Sequence, residues 1–218
     1  MEQLPRFILR ATYIERDRLA LLSHLEVARA LERTVRRSGL PFTVSAGFSP
    51  HMKIGFGAAL PVGVGSTCEI FDIQLKRYVP EGEALAALQQ ASVPDLMVQS
   101  VRYVDAREKA ASVAYPISTY EVVFSREPGM LPVPDEITRR RKNKKEKVLV
   151  VRDYLVEGFR FDEADPCRAR FSLEAHNEGS LRPDLFIEEC ISLYHEDPRN
   201  AGEPLEARSI TRVGQRAV

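Results

Sequence analysis

The chain has 218 residues, 44% of them hydrophobic, which suffices for a packed core and excludes a wholly disordered protein. Thirty-one Lys/Arg balance thirty-one Asp/Glu, so a uniformly basic polyanion binder is excluded and any such surface must be a patch. No apolar run approaches the ~18 residues of a membrane span, Met1–Pro5 opens no signal peptide, and Cys68, Cys167 and Cys190 form no CxxC pair or iron–sulfur cluster motif; a cytoplasmic chain with no membrane segment, disulfide framework, metal site or cofactor is expected.

Phe7–Ile14 alternates Phe7, Leu9, Ala11 and Tyr13 with Ile8, Arg10 and Thr12, which predicts a strand. Leu19–Leu22 ends at Ser23, an N-cap residue with Glu26 three positions on, the pattern of a capping box. The helix that follows runs to about Arg37, with Gly39 as its stop signal. Val27, Ala28, Leu31 and Val35 fall on one face, and His24 falls with them. Pro41–Ser45 predicts a second strand, and Gly47–Gly57, rich in turn formers, a loop. Cys68–Leu75 alternates again, with Phe71, Ile73 and Leu75 toward a core. Pro80–Glu83 opens a second helix with Leu85, Leu88 and Ala91 on one face, and Leu96–Val104 reads as a fourth strand. The order is that of the ferredoxin-like split βαβ unit. Beyond a polar connector, Asp105–Ala111, the pattern loosely repeats. Strands are expected at Ser118–Phe124, Lys147–Val151, Ala169–His176 and Glu206–Val213, and helices at Pro134–Arg140 and Arg182–Leu193. The expected fold class is α+β: tandem ferredoxin-like (βαββαβ) units, the second degenerate, as domains 1–110 and 111–218.

Charge is unevenly spread along this frame. Residues 1–60 hold nine Lys/Arg against five Asp/Glu, and residues 153–218 hold eight against fourteen. Arg29, Arg33, Arg36 and Arg37 share the solvent-facing stripe of the first helix. That stripe reads either as a phosphate-binding surface or as a solvated face partly neutralised by Glu26 and Glu32 at helical pairing distance. Arg139, Arg140, Arg141, Lys142, Lys144, Lys145 and Lys147 pack seven cations into nine positions. They read as a polyanion contact or as a soluble surface loop whose lysines also block edge pairing. In Gly47–Gly57, Ser49, His51 and Lys53 stand among glycines that let a backbone approach an anion. Phe48 and Phe56 could stack on bases, although a structural β-hairpin accounts for the same residues. His24 follows an N-cap and reads as a neutral base or, pointing inward, as a core histidine. Asp162–Asp165 spells a helicase box without any phosphate loop, and His176 and His195 lack metal-ligand spacing.

The stretch Leu22-Ser23-His24-Leu25-Glu26, then Arg29–Arg33, Arg36–Phe42, Ser45–Lys53 and Ala59–Val64, resembles a bacterial family of radical-SAM-linked proteins of unknown function. The chain departs from that family's pattern at Ala46, Ser49 and His51, where Gln, Asn and Arg are usual. The last change either weakens a phosphate contact or reflects tolerance. The resemblance continues faintly through Arg139–Lys142 and Ser180–Pro183 to Arg208. Members of that family occur alone or fused behind a radical-SAM domain, often encoded near ribonuclease and ribosomal-protein genes. The resemblance therefore implies a non-catalytic accessory module of a radical-SAM protein, with RNA (tRNA or rRNA) as a further partner. A more distant, fold-level similarity to RAMP-type endoribonucleases that process CRISPR repeat RNA carries an alternative, a metal-independent ribonuclease using His24 or His51 as base and Lys53 to stabilise the developing charge. A protein-only adaptor is the third reading.

Overall fold

The computed structural model describes residues 7–105, 107–141, 144–176, 179–200 and 202–218. The chain is α+β and divides after Tyr115 into two compact units.

In the first unit the alternation of apolar residues sets β1 (Phe7–Glu15), β3 (Gly65–Leu75) and β4 (Val98–Val104), and β2 (Ile54–Phe56) adds a short edge. The strands lie in the order β4-β1-β3-β2, and each neighbouring pair is antiparallel. Helices α1 (His24–Arg37) and α2 (Glu81–Ala91) fill the two crossovers. Leu9, Ala11 and Tyr13 of β1 oppose Ile73, Phe71 and Glu69 of β3. The same β1 residues share one core cluster with Phe71, Ile73 and Leu75 of β3, Val27, Leu31 and Val35 of α1, and Ala84 and Leu88 of α2. A single turn, α3 (Ala111–Ala114), follows β4.

Helix α1 begins and ends where its residues dictate. The Ser23 hydroxyl accepts from the Glu26 amide, and the Glu26 carboxylate accepts from the Ser23 amide at 2.8 Å. Gly39 turns the chain away with φ of 72°. Replacing Ser23 by alanine is expected to cost about 1 kcal/mol, read as a lowered urea midpoint. The Glu26 carboxyl lies below its ordinary pKa because the Ser23 hydroxyl and then the Ser23 amide hydrogen-bond it. The contribution of that carboxylate is therefore full above the unfolded value and lost as pH falls through the lowered one, so the Ser23→Ala deficit should shrink in acid.

The second strand of the first unit is not the expected one. Pro41–Ser45 makes isolated bridges, Phe42 to Leu75 and Val44 to Met52, and Ile54–Phe56 takes the ladder position beside β3. Gln74 is the changeover: its carbonyl accepts from Thr43 N at 2.8 Å while its amide donates to Lys53 O at 3.0 Å. The glycines that suggested a continuous loop end in a strand because Ile54 and Phe56 meet Ile73 and Phe71 of β3.

The second unit runs β5 (Ile117–Phe124), β6 (Glu136–Arg141), β7 (Lys144–Val150), β8 (Leu155–Phe161), β9 (Arg168–Glu174), α4 (Pro183–Glu196) and β10 (Ala207–Arg216). Its sheet has the order β10-β5-β9-β8, antiparallel at each of these pairings. Strands β6 and β7 form a separate two-stranded ribbon in the crossover where the first unit has α1. One expectation fails here, and one strand is not among the expected elements. Pro134–Arg140 is not a helix, because Ile137 pairs with Leu149 and the two bury each other's strand at 1% and 2% exposure. Strand β8 is missed because Glu157 interrupts the apolar face of Leu155, Phe159 and Phe161. Helix α4 packs through Phe186, Ile187, Cys190 and Tyr194, with Phe186 against Phe159 and Phe171. No helix among the described residues is long and apolar enough to cross a membrane.

Candidate nucleic-acid interface

The apolar side of α1 buries Val27, Ala28, Leu31, Thr34 and Val35, which leaves Arg29, Arg33, Arg36 and Arg37 exposed by helical phase. Glu26 accepts from the Ser23 hydroxyl and amide at 2.7 and 2.8 Å and makes no ion-pair contact with Arg29, although its charge still interacts with that guanidinium. Among the described residues, Arg29, Arg33 and Arg36 make no ion pair and no side-chain hydrogen bond. The Arg36 guanidinium lies over the Phe42 ring, 5.5 Å from its centroid. Arg37 differs from the other three. Its guanidinium donates to the Ala91 carbonyl at 2.6 Å and to Thr34 Oγ1 at 3.5 Å. It thus ties α1 to the electronegative C-terminal end of α2, a structural task. The four-arginine stripe is three open guanidinium groups and one tether.

Phe42 begins a hairpin that rises from the same edge. Thr43 O accepts from Lys53 N at 2.8 Å, Ser45 N donates to His51 O at 2.7 Å, and Ser45 Oγ accepts from His51 N at 3.0 Å. Met52, 6% exposed, anchors the returning arm in the core. The tip turns at Gly47, whose φ of 124° favours glycine, and Phe48 stands fully exposed beside it. Ser49, His51 and Lys53 are also exposed. Phe56 is unavailable for stacking, since its ring packs 6.4 Å from Phe71 and 5.7 Å from His24. His24 is exposed rather than inward, and its imidazole meets the Phe56 ring edge-on. No hydrogen bond joins the side chains of His24, His51 and Lys53 among the described residues.

The basic run of the second unit lies on the β6–β7 ribbon. Arg139 faces Lys147 across it and donates to the Ser180 carbonyl at 3.4 Å, and Arg141 faces Lys144. Lys142, and the side chains of Arg140, Arg141, Lys144 and Lys145, lie outside the described residues. A cleft of about 540 Å³ opens at the base of the ribbon, lined by Val133, Pro134, Val150, Val151 and Leu155, with Asp135 and Glu136 outnumbering Arg152 among its charged residues.

Two charge networks were hidden from sequence reading. Arg10 and Arg102 oppose each other across β1 and β4, an unfavourable pairing unless bridged. The bridge is made by Asp72, which takes Arg10 Nε at 2.7 Å, by Glu108, 3.3 Å from Arg102, and by the Tyr115 hydroxyl, 3.2 Å from Arg102. Asp72 and Tyr115 push the Arg10 pKa further up against the opposing effect of burial. Burial raises the Tyr115 phenol, but hydrogen bonds from Arg102 and Arg10 outweigh it and leave the pKa below its ordinary value. On β5 and β9, Glu121 holds Arg168 and, at 2.9 Å, Arg170. The remaining candidates of the sequence have structural roles. Burial pushes the Cys190 thiol up to about 12, which makes it a core residue and no nucleophile. His195 Nε2 accepts from Leu205 N at 2.9 Å. Asp162 Oδ1 accepts from Ala164 N at 2.8 Å, so the helicase-like tetrad is a turn between β8 and β9. No three His, Cys, Asp or Glu side chains gather to hold a metal ion among the described residues.

Two antiparallel α+β units and a helix face with three open guanidinium groups define an α+β protein with a candidate anion-binding surface. The chain belongs to the DUF2344 family, described as an uncharacterized protein conserved in bacteria, whose profile matches residues 9–183. No curated protein matches it.

Proposed function

We propose that this protein is a non-catalytic, RNA-binding accessory module that works in the cytoplasm beside a radical-SAM enzyme, with tRNA or rRNA as the bound class. Both units are read as ferredoxin-like. Their shared strand order supports this, and the second is degenerate because a ribbon replaces its first helix. The observation that carries RNA binding is the row of Arg29, Arg33 and Arg36, exposed, without an ion-pair contact among the described residues and bordered by the Phe42 hairpin. Like charges that outnumber the nearby carboxylates and make no close ion pair raise the local potential and favour a phosphate backbone. The radical-SAM partner is carried by the resemblance of the Leu22–Val64 motifs. The ribonuclease reading gains nothing from the placement of His24, whose ring meets Phe56, or of His51, which presents its backbone amide to Ser45.

The test is fluorescence anisotropy with bulk tRNA and rRNA fragments over a salt series. The wild-type protein should bind with affinity that falls steeply as salt rises. The combined Arg29→Gln, Arg33→Gln, Arg36→Gln variant should bind at least about tenfold more weakly and lower the log–log salt slope by about 2, at ~0.7 per lost single-strand phosphate contact. Salt-independent binding, or a variant equal to wild type, defeats the proposal. RNA shortened during incubation with chelator would favour the ribonuclease instead.

A further inference from the structure

We infer that the RNA segment this protein recognises is single-stranded, and that Phe48 stacks on one of its unpaired bases while Arg29, Arg33 and Arg36 hold its phosphates. The inference rests on the RNA-binding reading above and adds the class of RNA and the residue that selects it.

Phe48 is exposed to 109% of its reference area, so no neighbouring group covers the ring. Single exposed apolar side chains are common on protein surfaces and usually mean nothing. Phe48 differs in how it is presented. The arms beneath it are fastened by the Thr43–Lys53 and Ser45–His51 hydrogen bonds at 2.7 to 2.8 Å and by the buried Met52. The ring therefore stands out at the tip of a hairpin whose arms are fastened beneath it. Phe42, six residues back along the same arm, lies under the Arg36 guanidinium. A six-residue extended arm reaches at most roughly 20 Å. Phe48 is thus within a short run of nucleotides of the open guanidinium groups, well inside the ~4–16 nucleotides that one such single-strand surface covers.

The chemistry of this pair selects among RNA forms. In a duplex the base faces are already stacked on their neighbours, and a lone ring on a finger has no free π-face to meet. An unpaired base offers both faces, and stacking on an aromatic side chain tolerates any sequence. Cations beside an aromatic ring repeat the usual composition of single-strand binding grooves. A membrane is the less favoured ligand, because one Phe flanked by exposed Ser49, His51 and Lys53 presents little apolar area to an interface.

The chain contains no tryptophan, so Phe48→Trp creates a single reporter at the tip. The probes are a short oligouridine strand, the same strand annealed to oligoadenine, and anionic vesicles of phosphatidylglycerol and phosphatidylcholine. Phe48→Ala should weaken oligouridine binding about tenfold, leave duplex binding and thermal stability unchanged, and keep the salt slope. Phe48→Trp should bind as the wild type does, with emission quenched by the strand and not by the duplex. If Phe48→Ala binds oligouridine like wild type while the Arg29/Arg33/Arg36 variant does not, this inference falls and the RNA-binding reading stands. If the wild-type protein binds neither RNA, both fall. Emission that shifts on vesicles and ignores RNA also overturns the inference, in favour of a membrane contact.

Discussion

Phe186→Ala is expected to destabilise the protein by about 3–5 kcal/mol, the largest effect of any single side-chain truncation in the second unit. The ring is 0% exposed on the inner face of α4. It stacks on Phe159 at 5.6 Å with 14° between the planes, and tilts against Phe171 at 5.2 Å. Phe171 in turn stacks on Tyr120 of the neighbouring strand at 5.6 Å, so one ring couples the helix to β8, β9 and β5. Truncation removes the transfer energy of the ring and leaves a void that its two aromatic neighbours, Phe159 and Phe171, each braced by other rings, cannot close. Phe186→Leu keeps most of the volume and should cost less than half as much. Urea denaturation followed by circular dichroism measures both. A loss below about 1 kcal/mol for the alanine variant would mean that the aromatic layer repacks, and that α4 is not held by it.

Arg10→Ala is expected to cost about 3–5 kcal/mol in the first unit, for an electrostatic reason. Arg10 is 3% exposed and Asp72 14%. The guanidinium grips both carboxylate oxygens at 2.7 and 2.9 Å and also donates to the Lys109 carbonyl at 2.9 Å. Removing the arginine leaves the Asp72 carboxylate in a low-dielectric site with the Ala111 amide, 3.2 Å away, as its remaining donor. It also frees the segment that Arg10 fastens through Lys109 and Tyr115. Removing both partners as Arg10→Leu with Asp72→Leu should restore most of the loss, because an apolar pair of similar bulk leaves no uncompensated charge. The comparison of single and double variants by urea midpoint separates the two causes. If the double variant is as unstable as Arg10→Ala, the packing of the long side chain matters and the ion pair does not.

These two predictions also mark where reading along the chain stops. Along Arg182–Leu193 the sequence offers Leu185, Ile187, Cys190 and Ile191 as apolar positions; Ile187 and Cys190 are buried, and the structure adds Phe186 and Tyr194 to the inward face. The Arg10–Asp72 pair was out of reach, because 62 residues separate its members and neither has a local signature. The same division runs through the candidate interface. Three of its arginines are legible from phase alone. That Arg37 is spent on Ala91, and that Phe56 is packed while Phe48 is not, depends on neighbours brought in from elsewhere.

By itself the sequence determined what depends on residues within a few positions of one another. That covers the Ser23–Glu26 cap, the length of α1, the apolar face of Val27, Leu31 and Val35 opposite the arginines, and the alternation that makes β1 and β3. Local geometry sets these, since a helix or strand repeats its orientation every few residues. Only the tertiary structure decided which short segment completes each sheet. Ile54–Phe56 prevails over Pro41–Ser45, and Glu136–Arg141 becomes a strand, because pairing satisfies backbone hydrogen bonds with a partner far along the chain.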